Sequence, residues 1–329
     1  MSELRDLVTL PQIWERMERV ETRLFEATVS EHRHLTEIAQ HLLSAGGKRY
    51  RPLLALLCAE FGPEPDVRPI EAGVSVELIH VGSLYHDDVI DEADTRRGAS
   101  SVNANWTNTV AILAGDFLMA RASETAASRL DLESVRLLAA TYAELVEGQT
   151  RELQFDFDTE HGIADYEKVI YQKTASLIRT SARLGAMASG ATTEAIEAVS
   201  TWAAEVGMVF QIADDVLDLV ATSEILGKPA GSDIREGKFT MPVLQALAGP
   251  EGDRVRKLLA QPRPYDDDTI EEIIDIVRDG GYAVAALDSA RARLSTAEAA
   301  LAVLPAVEAR AVLGRLGDYL VDRVASISL

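Results

Sequence analysis

Cysteine is almost missing from this sequence: Cys58 stands alone among 329 residues, so no intrachain disulfide can form and a reducing compartment is expected. It lies in the apolar run 53–59, and a free cysteine in such a run reads as core. Positive charge is also short. Lysine and arginine number 32 against 53 acidic residues, a formal charge of −21, which repels polyanions and argues against a nucleic-acid partner. A chain this acidic can handle a small polyanion only with a local cationic pocket and metal ions. Long apolar runs are absent too. None approaches the ~20 residues that a membrane-spanning helix needs, and charged residues stand at the N-terminus where a secretory signal would place an apolar segment. Together these absences give the expectation of a soluble, cytoplasmic protein.

Alternating β patterns, low-complexity tracts and short-period repeats are lacking as well. What is there is helical periodicity, with apolar residues at three- and four-residue spacing through 13–43, 53–61, 70–90, 110–126, 135–153, 166–187 and 195–220. Breaks fall at Gly62-Pro63-Glu64-Pro65, Gly249-Pro250-Glu251-Gly252 and Gln261-Pro262-Arg263-Pro264, where a helix cannot continue. None is long or biased enough for an interdomain linker. With 47% hydrophobic residues the chain can bury a large core, so the expectation is one all-α domain over 1–329, with the stretch 270–329 completing that core. The segment 221–240 differs. It gathers Gly227, Gly231, Gly237 and Pro229 with Lys228, Arg235 and Lys238, which reads either as a solvated connection or as a mobile cationic loop with a task.

Two acidic pentads carry the chemistry: Asp87-Asp88-Val89-Ile90-Asp91 and Asp214-Asp215-Val216-Leu217-Asp218. On a helix, residues four apart sit about 5–6 Å apart at Cβ, so Asp87 with Asp91, and Asp214 with Asp218, share a face and repel. A cation removes that repulsion. Carboxylate oxygens suit Mg²⁺, a hard ion commonly held by one or two carboxylates plus substrate phosphates, so two such clusters could hold metal around one diphosphate. The other reading, a solvated acidic helix end, explains one pentad better than two. Around the first pentad stand His80, two turns before Asp87, and Arg96 and Arg97, whose guanidinium forks match phosphate oxygens. Upstream, Gly46 and Gly47 permit close backbone approach beside Lys48, Arg49 and Arg51, an arrangement suited to a second diphosphate.

With these residues in place the sequence resembles the trans-type polyprenyl diphosphate synthase family. The match runs from Gly46 to Pro242, in order: GGKRYRP; HVGSLYHDDVIDEADTRRG; GDFLMARA from Gly115; Gly148-Gln149 with Glu152; Lys173-Thr174; Phe210-Gln211 leading into the second pentad; GKPAGSD from Gly227; and GKFTMP from Gly237. The resemblance implies an all-α helical bundle of the isoprenoid synthase type with a central substrate cavity. It also implies a Mg²⁺-dependent transfer that joins isopentenyl diphosphate to an allylic diphosphate. By that resemblance Asp87, Asp91 and Asp214, supported by Asp88, Asp215 and Asp218, hold Mg²⁺, three ions per site once substrate is bound. Lys48, Arg51, His80 and Arg97, with Arg49 as a further member, bind isopentenyl diphosphate. Arg96, Lys173, Lys228 and Lys238 hold the allylic diphosphate, Thr174 and Gln211 line the reacting centre, and 221–240 closes as a cationic lid. Released diphosphate takes the final proton in that family, in keeping with the lack of a dedicated base. His86 reads as an orienting or packing residue. The family also implies a homodimer and leaves room for peripheral membrane contact at product release.

Helical side chains lean toward the helix N-terminus, so Gly82 and Ser83 are expected just below the metal site. Short-chain members place a large aromatic there as a floor; both residues are small here, which predicts a product longer than farnesyl. The alternative is that Gly82 only permits close helix packing and that Ile79 or Val76 stops the chain. Two other functions stay in view: a class I terpene cyclase, and a non-catalytic subunit that tunes an active synthase. The intact second pentad and the isopentenyl-binding cations weigh against both. His32, His34, His41 and His161 read as surface or capping residues, and Asp266-Asp267-Asp268 as a helix N-cap.

Overall fold

The computed structural model describes residues 2–221 and 229–325, and the expected loop residues 222–228, Gly227 and Lys228 among them, lie outside the described residues. The chain divides into two compact units: Met1–Tyr142, Leu177–Ser200 and Val303–Leu313 in the first, Ala143–Ser176, Thr201–Ala302 and Gly314–Leu329 in the second.

The first unit is built on α1 (Ser2–Leu7), α2 (Pro11–Ala27), α3 (Arg33–Ser44), α4 (Tyr50–Ala59) and α5 (Val67–Ile90). A two-residue hairpin, β1 (Thr95–Arg96) with β2 (Ala99–Ser100), precedes α6 (Val102–Asn105) and α7 (Asn108–Arg129). Next comes α8 (Leu132–Gln154), whose later part belongs to the second unit. The periodic stretch 13–43, read as one pattern, is two helices. Buried Thr28 turns its hydroxyl back onto the carbonyls of Leu24 and Phe25, and the His32 ring accepts from Leu35 N at the start of α3. His32 is thus a cap, the role expected of it.

α5 is apolar on nearly every side and buried from Pro69 through Ile79, as a central helix must be. That burial carries Glu71 and Glu77 inward with it. α10 (Ser176–Ala188) crosses α4 so closely that a Cβ on Gly185 would lie 1.9 Å from the Ala55 carbonyl oxygen. Cys58 is fully buried in α4, and burial pushes its thiol up.

The second unit holds α9 (Ile163–Ile170), a π-helical turn over Tyr171–Ala175 and most of α11 (Thr193–Val220). Then follow α12 (Ser232–Glu236), α13 (Met241–Ala248), α14 (Gly252–Leu259), α15 (Asp267–Asp279), α16 (Tyr282–Leu301) and α17 (Glu308–Ala325), whose first turns belong to the first unit. The breaks at 62–65 and 261–264 fall between helices, and that at 249–252 ends on the first residue of α14. Asp266 caps α15 by accepting from Thr269 N at 2.8 Å; the Thr269 side chain first, and then this backbone bond, hold its carboxyl below the ordinary value. Ile270, Ile273, Val277, Leu287 and Ala297 are buried, so this stretch adds to the core of the second unit as expected. Among the described residues, no helix is long and apolar enough to cross a membrane.

Candidate active site

The long buried helix α5 ends at the first pentad, where Asp91 N still bonds to Asp87 O at 2.8 Å. One-residue steps on a helix turn by about 100°, so the neighbours in the pentad part company. Asp87 is half-buried and Asp91 exposed, whereas Asp88 is completely buried and accepts from Arg96 Nε at 2.6 Å. The second oxygen of Asp88 is buried with no hydrogen-bond partner. Arg96 reaches Asp88 because the hairpin turns on Arg97 and Gly98, both at positive φ (56° and 76°), the backbone of a tight two-residue loop. The same turn sends the Arg97 guanidinium elsewhere, onto the carbonyls of Leu42 and Gly46. The adjacent guanidiniums therefore meet different partners.

Arg97 joins a cationic cluster in the first unit. Arg49, in the left-handed conformation at φ 49°, caps α4 and is buried. Its five N–H donors meet Glu21 twice at 2.9 Å, Gly46 O, Leu43 O and Glu77 Oε1 at 3.2 Å. Arg49, expected as a further substrate ligand, has all five donors bonded within the protein. Lys48 beside it is exposed, and Arg51 is half-buried with its Nε lacking a hydrogen-bond partner. Burial, then the neighbouring Arg97 charge, lowers the Arg51 guanidinium to about 10. Beneath the cluster lies Glu77, 1% exposed, its Oε1 3.9 Å from Arg97 Nη2 and its Oε2 without a hydrogen-bond partner. Burial pushes the Glu77 carboxyl up while three guanidiniums pull it down. His80, one turn further, is held well below its ordinary value by burial and by Arg51, Arg97, Arg49 and Arg96, so it is neutral at pH 7.

Glu21 and Glu77 escaped the sequence reading. Glu77 had a signal: an acid between Val76 and Leu78 inside an apolar helical run, three residues before His80.

In the second unit, Gln211 and Asp215 lie one turn apart on α11, and Gln211 Nε2 donates to Asp215 Oδ1 at 2.8 Å. Thr174, in the π turn, donates to Gln211 Oε1 at 2.8 Å, and Tyr166 of α9 donates to Asp215 Oδ2 at 2.6 Å. Both Asp215 oxygens thus face the protein. Asp218 is buried and ties down the following segment, accepting Gly231 N on its carbonyl and Asp233 N on Oδ2. The described part of the expected loop is therefore fastened and includes helix α12. Lys173 pairs with Glu152, and Lys238 with Glu236 at 2.9 Å. Asp214 is half-buried.

Gly82 is buried against α7, where a Cβ would meet Met119 Cε at 2.9 Å and Gly115 O at 3.1 Å. Of the two readings for Gly82, close packing describes this contact. Ser83 is half-buried, with Oγ donating to His80 O at 2.9 Å. His86 rests on α7, its Nε2 3.2 Å from Ile112 O and 3.5 Å from Asp116, an orienting contact as expected. His41 Nε2 lies 2.7 Å from Ser100 O, and His161 stacks on Phe155.

Among the described residues, no three His, Cys, Asp or Glu side chains form a ready cage for a metal ion. The chemistry present nevertheless fits Mg²⁺. Asp87 and Asp91 offer hard oxygens, the orphaned Asp88 oxygen sits beside them, and Mg²⁺ ordinarily takes further ligands from water and substrate phosphate.

The profile of the polyprenyl synthetase family matches residues 32–277. The nonaprenyl diphosphate synthase of Mycobacterium tuberculosis is 47% identical over 287 residues, 86% of this chain and 85% of that one. Component 2 of the heptaprenyl diphosphate synthase of Geobacillus stearothermophilus is 42% identical over 75% of this chain and 77% of its own. Among solved structures, the geranylgeranyl pyrophosphate synthase of Corynebacterium glutamicum, complexed with calcium and isoprenyl diphosphate, superposes with a TM-score of 0.85 at 42% identity. That match covers 95% of this chain and 96% of the other.

Proposed function

The chain belongs to the polyprenyl synthetase family and is a prenyltransferase, and on that premise we propose how its residues divide the work. Its substrates are isopentenyl diphosphate and an allylic diphosphate, and its product is an all-trans chain longer than farnesyl. Neither the cyclase nor the non-catalytic reading is favoured by relatives that are named as synthases.

Bound Mg²⁺ supplies positive charge to the departing allylic diphosphate, lowering the barrier to an allylic cation. Asp87 and Asp91 would hold Mg²⁺, and Asp214 would likewise serve as a Mg²⁺ ligand. Asp88, Asp215 and Asp218 act behind them: Asp88 orients Arg96, Asp215 orients Gln211, and Asp218 anchors the segment that carries Lys238. Arg96, Lys173, Lys228 and Lys238 bind the allylic diphosphate. Lys48, Arg51, His80 and Arg97 bind isopentenyl diphosphate, with Arg49 holding Glu77 in place. As the allylic C–O bond breaks, both electrons leave with diphosphate. The isopentenyl double bond then attacks the cation, and the released diphosphate takes the proton. Thr174 and Gln211 flank the reacting carbon, and Ser83 rather than Gly82 sets the floor of the product site.

The observation that carries this reading is the cationic cluster of Arg51 on α4, Arg97 in the hairpin turn and neutral His80 on α5, the helix that ends at the first pentad. We further propose a single catalytic domain and a cytoplasmic homodimer that touches membrane only to release product. Ile112 and Leu113 on α7, and Val146 and Leu153 on α8, are exposed apolar side chains suited to such a dimer. A heteromeric assembly is a second reading, favoured by the relatives named as component 2.

The test is purified chain with Mg²⁺, labelled isopentenyl diphosphate and farnesyl diphosphate, with products resolved by chromatography. We expect elongation that chelator abolishes and that Ser83→Phe shortens. No turnover by the chain alone would favour the heteromeric reading, and an unchanged length for Ser83→Phe would remove Ser83 as the floor.

A further inference from the structure

Three buried or half-buried hydrogen bonds run in series through the second unit, ending on a tyrosine to which the reaction assigns no task. Thr174 Oγ1 donates to Gln211 Oε1 at 2.8 Å, Gln211 Nε2 donates to Asp215 Oδ1 at 2.8 Å, and Tyr166 Oη donates to Asp215 Oδ2 at 2.6 Å. Tyr166 is 5% exposed and Asp215 4%, so neither end of that last bond can be exchanged for bulk water. We propose that Tyr166 is a positioning residue for prenyl transfer, acting through Asp215 and Gln211 to aim the Thr174 hydroxyl.

The direction of the chain follows from donor chemistry. Gln211 donates its NH₂ to Asp215 Oδ1 and so presents its carbonyl oxygen to Thr174. Thr174 then has to donate, which leaves its lone pairs directed away from Gln211. A hydroxyl fixed this way offers electron density to a carbon that is becoming positive; a freely turning one offers it part of the time. Tyr166 makes the arrangement unique. With Oδ2 satisfied, Asp215 has no reason to rotate toward another donor, and the amide has no reason to flip. Local structure supports the same geometry: Gln211 and Asp215 share a helix face, and the π turn over Tyr171–Ala175 places Thr174 opposite them.

The inference rests on the reading that Thr174 and Gln211 line the reacting centre. Tyr166→Phe removes one oxygen and keeps the ring, so volume in the core is unchanged. We expect kcat to fall about tenfold, equivalent to about 1.4 kcal/mol. KM for isopentenyl diphosphate, farnesyl diphosphate affinity by calorimetry and the Mg²⁺ concentration for half-activation should stay within about twofold, because the substrate contacts are elsewhere. In a Thr174→Val background the tyrosine change should add less than twofold, since the group it aims is gone. Thr174→Ser keeps the hydroxyl and should keep the sensitivity to Tyr166→Phe that Thr174→Val loses.

Equal kcat for Tyr166→Phe and the parent, with Thr174→Val impaired, overturns the inference. So does a tenfold loss that persists in the Thr174→Val background or a comparable loss of substrate or Mg²⁺ affinity, because each marks a structural role. If Thr174→Val and Gln211→Ala both leave kcat unchanged, the reading of the reacting centre fails instead.

Discussion

Glu77→Gln removes a buried charge from beneath three guanidiniums while almost preserving shape. Arg49 and Glu77 meet at 3.2 Å with side-chain exposures of 3% and 1%, and removing one member of a buried pair ordinarily costs about 3–5 kcal/mol. Two features adjust that figure. Arg49 keeps its bidentate pairing with Glu21 at 2.9 Å and the Gly46 and Leu43 carbonyls, so four of its five donors stay satisfied, which reduces the loss. Arg51 and Arg97 lose the acid whose charge acts on both, which increases it. The lower end, about 3 kcal/mol, is the expected result. At an m-value of about 3 kcal/mol/M the urea midpoint drops by about 1 M. A bound diphosphate supplies the missing negative charge, so isopentenyl diphosphate should raise the midpoint of Glu77→Gln more than that of the parent. The assay is urea unfolding followed by circular dichroism, with and without isopentenyl diphosphate. Equal midpoints without ligand, or an equal gain on adding it, would refute the claim that Glu77 is the counter-charge of this cluster.

Gly185→Ala offers a test by sign. Where space allows, replacing glycine by alanine in a helix stabilises by about 0.4–1 kcal/mol through the unfolded chain. Here the new Cβ would fall 1.9 Å from the Ala55 carbonyl oxygen, and backbone must move, so a loss of about 3 kcal/mol in urea unfolding is expected. For His80 the sign comes from linkage. Its folded value lies well below 6.5, so as pH falls beneath about 6.5 the unfolded chain takes up a proton that the folded chain refuses, and stability is lost. That contribution reaches at most about 1.4 kcal/mol per pH unit. His80→Gln should flatten the stability profile between pH 7 and 5, and parallel profiles would show that His80 does not titrate differently in the two states.

Both pentads and the GGKRYRP run were legible because their chemistry is written in local spacing, carboxylates four apart on a helix and cations clustered beside glycines, whereas the Lys173-Thr174 pair came only from the family resemblance. Periodicity likewise pointed to the helical class, since apolar residues recur at three and four and almost never alternate. Spacing could not separate Arg49 from Arg51. Two residues apart in one motif, they differ because Arg49 adopts a left-handed backbone and turns inward to Glu21 and Glu77, carboxylates 28 residues away on either side. Arg96 and Arg97 are adjacent and identical, yet a tight hairpin sends one to Asp88 and the other to the Gly46 carbonyl. Within each pentad a one-residue step decides which aspartate is buried and bonded and which is presented outward.

The sequence by itself therefore carried the helical class in its short-range periodicity and, through its resemblance to a known family, the reaction family and an expected set of charged residues. Tertiary structure alone decided which of them is bonded into the protein and which is presented outward. That distinction depends on the partner each side chain meets, and Glu77, Tyr166 and Glu21 become partners only once distant helices pack.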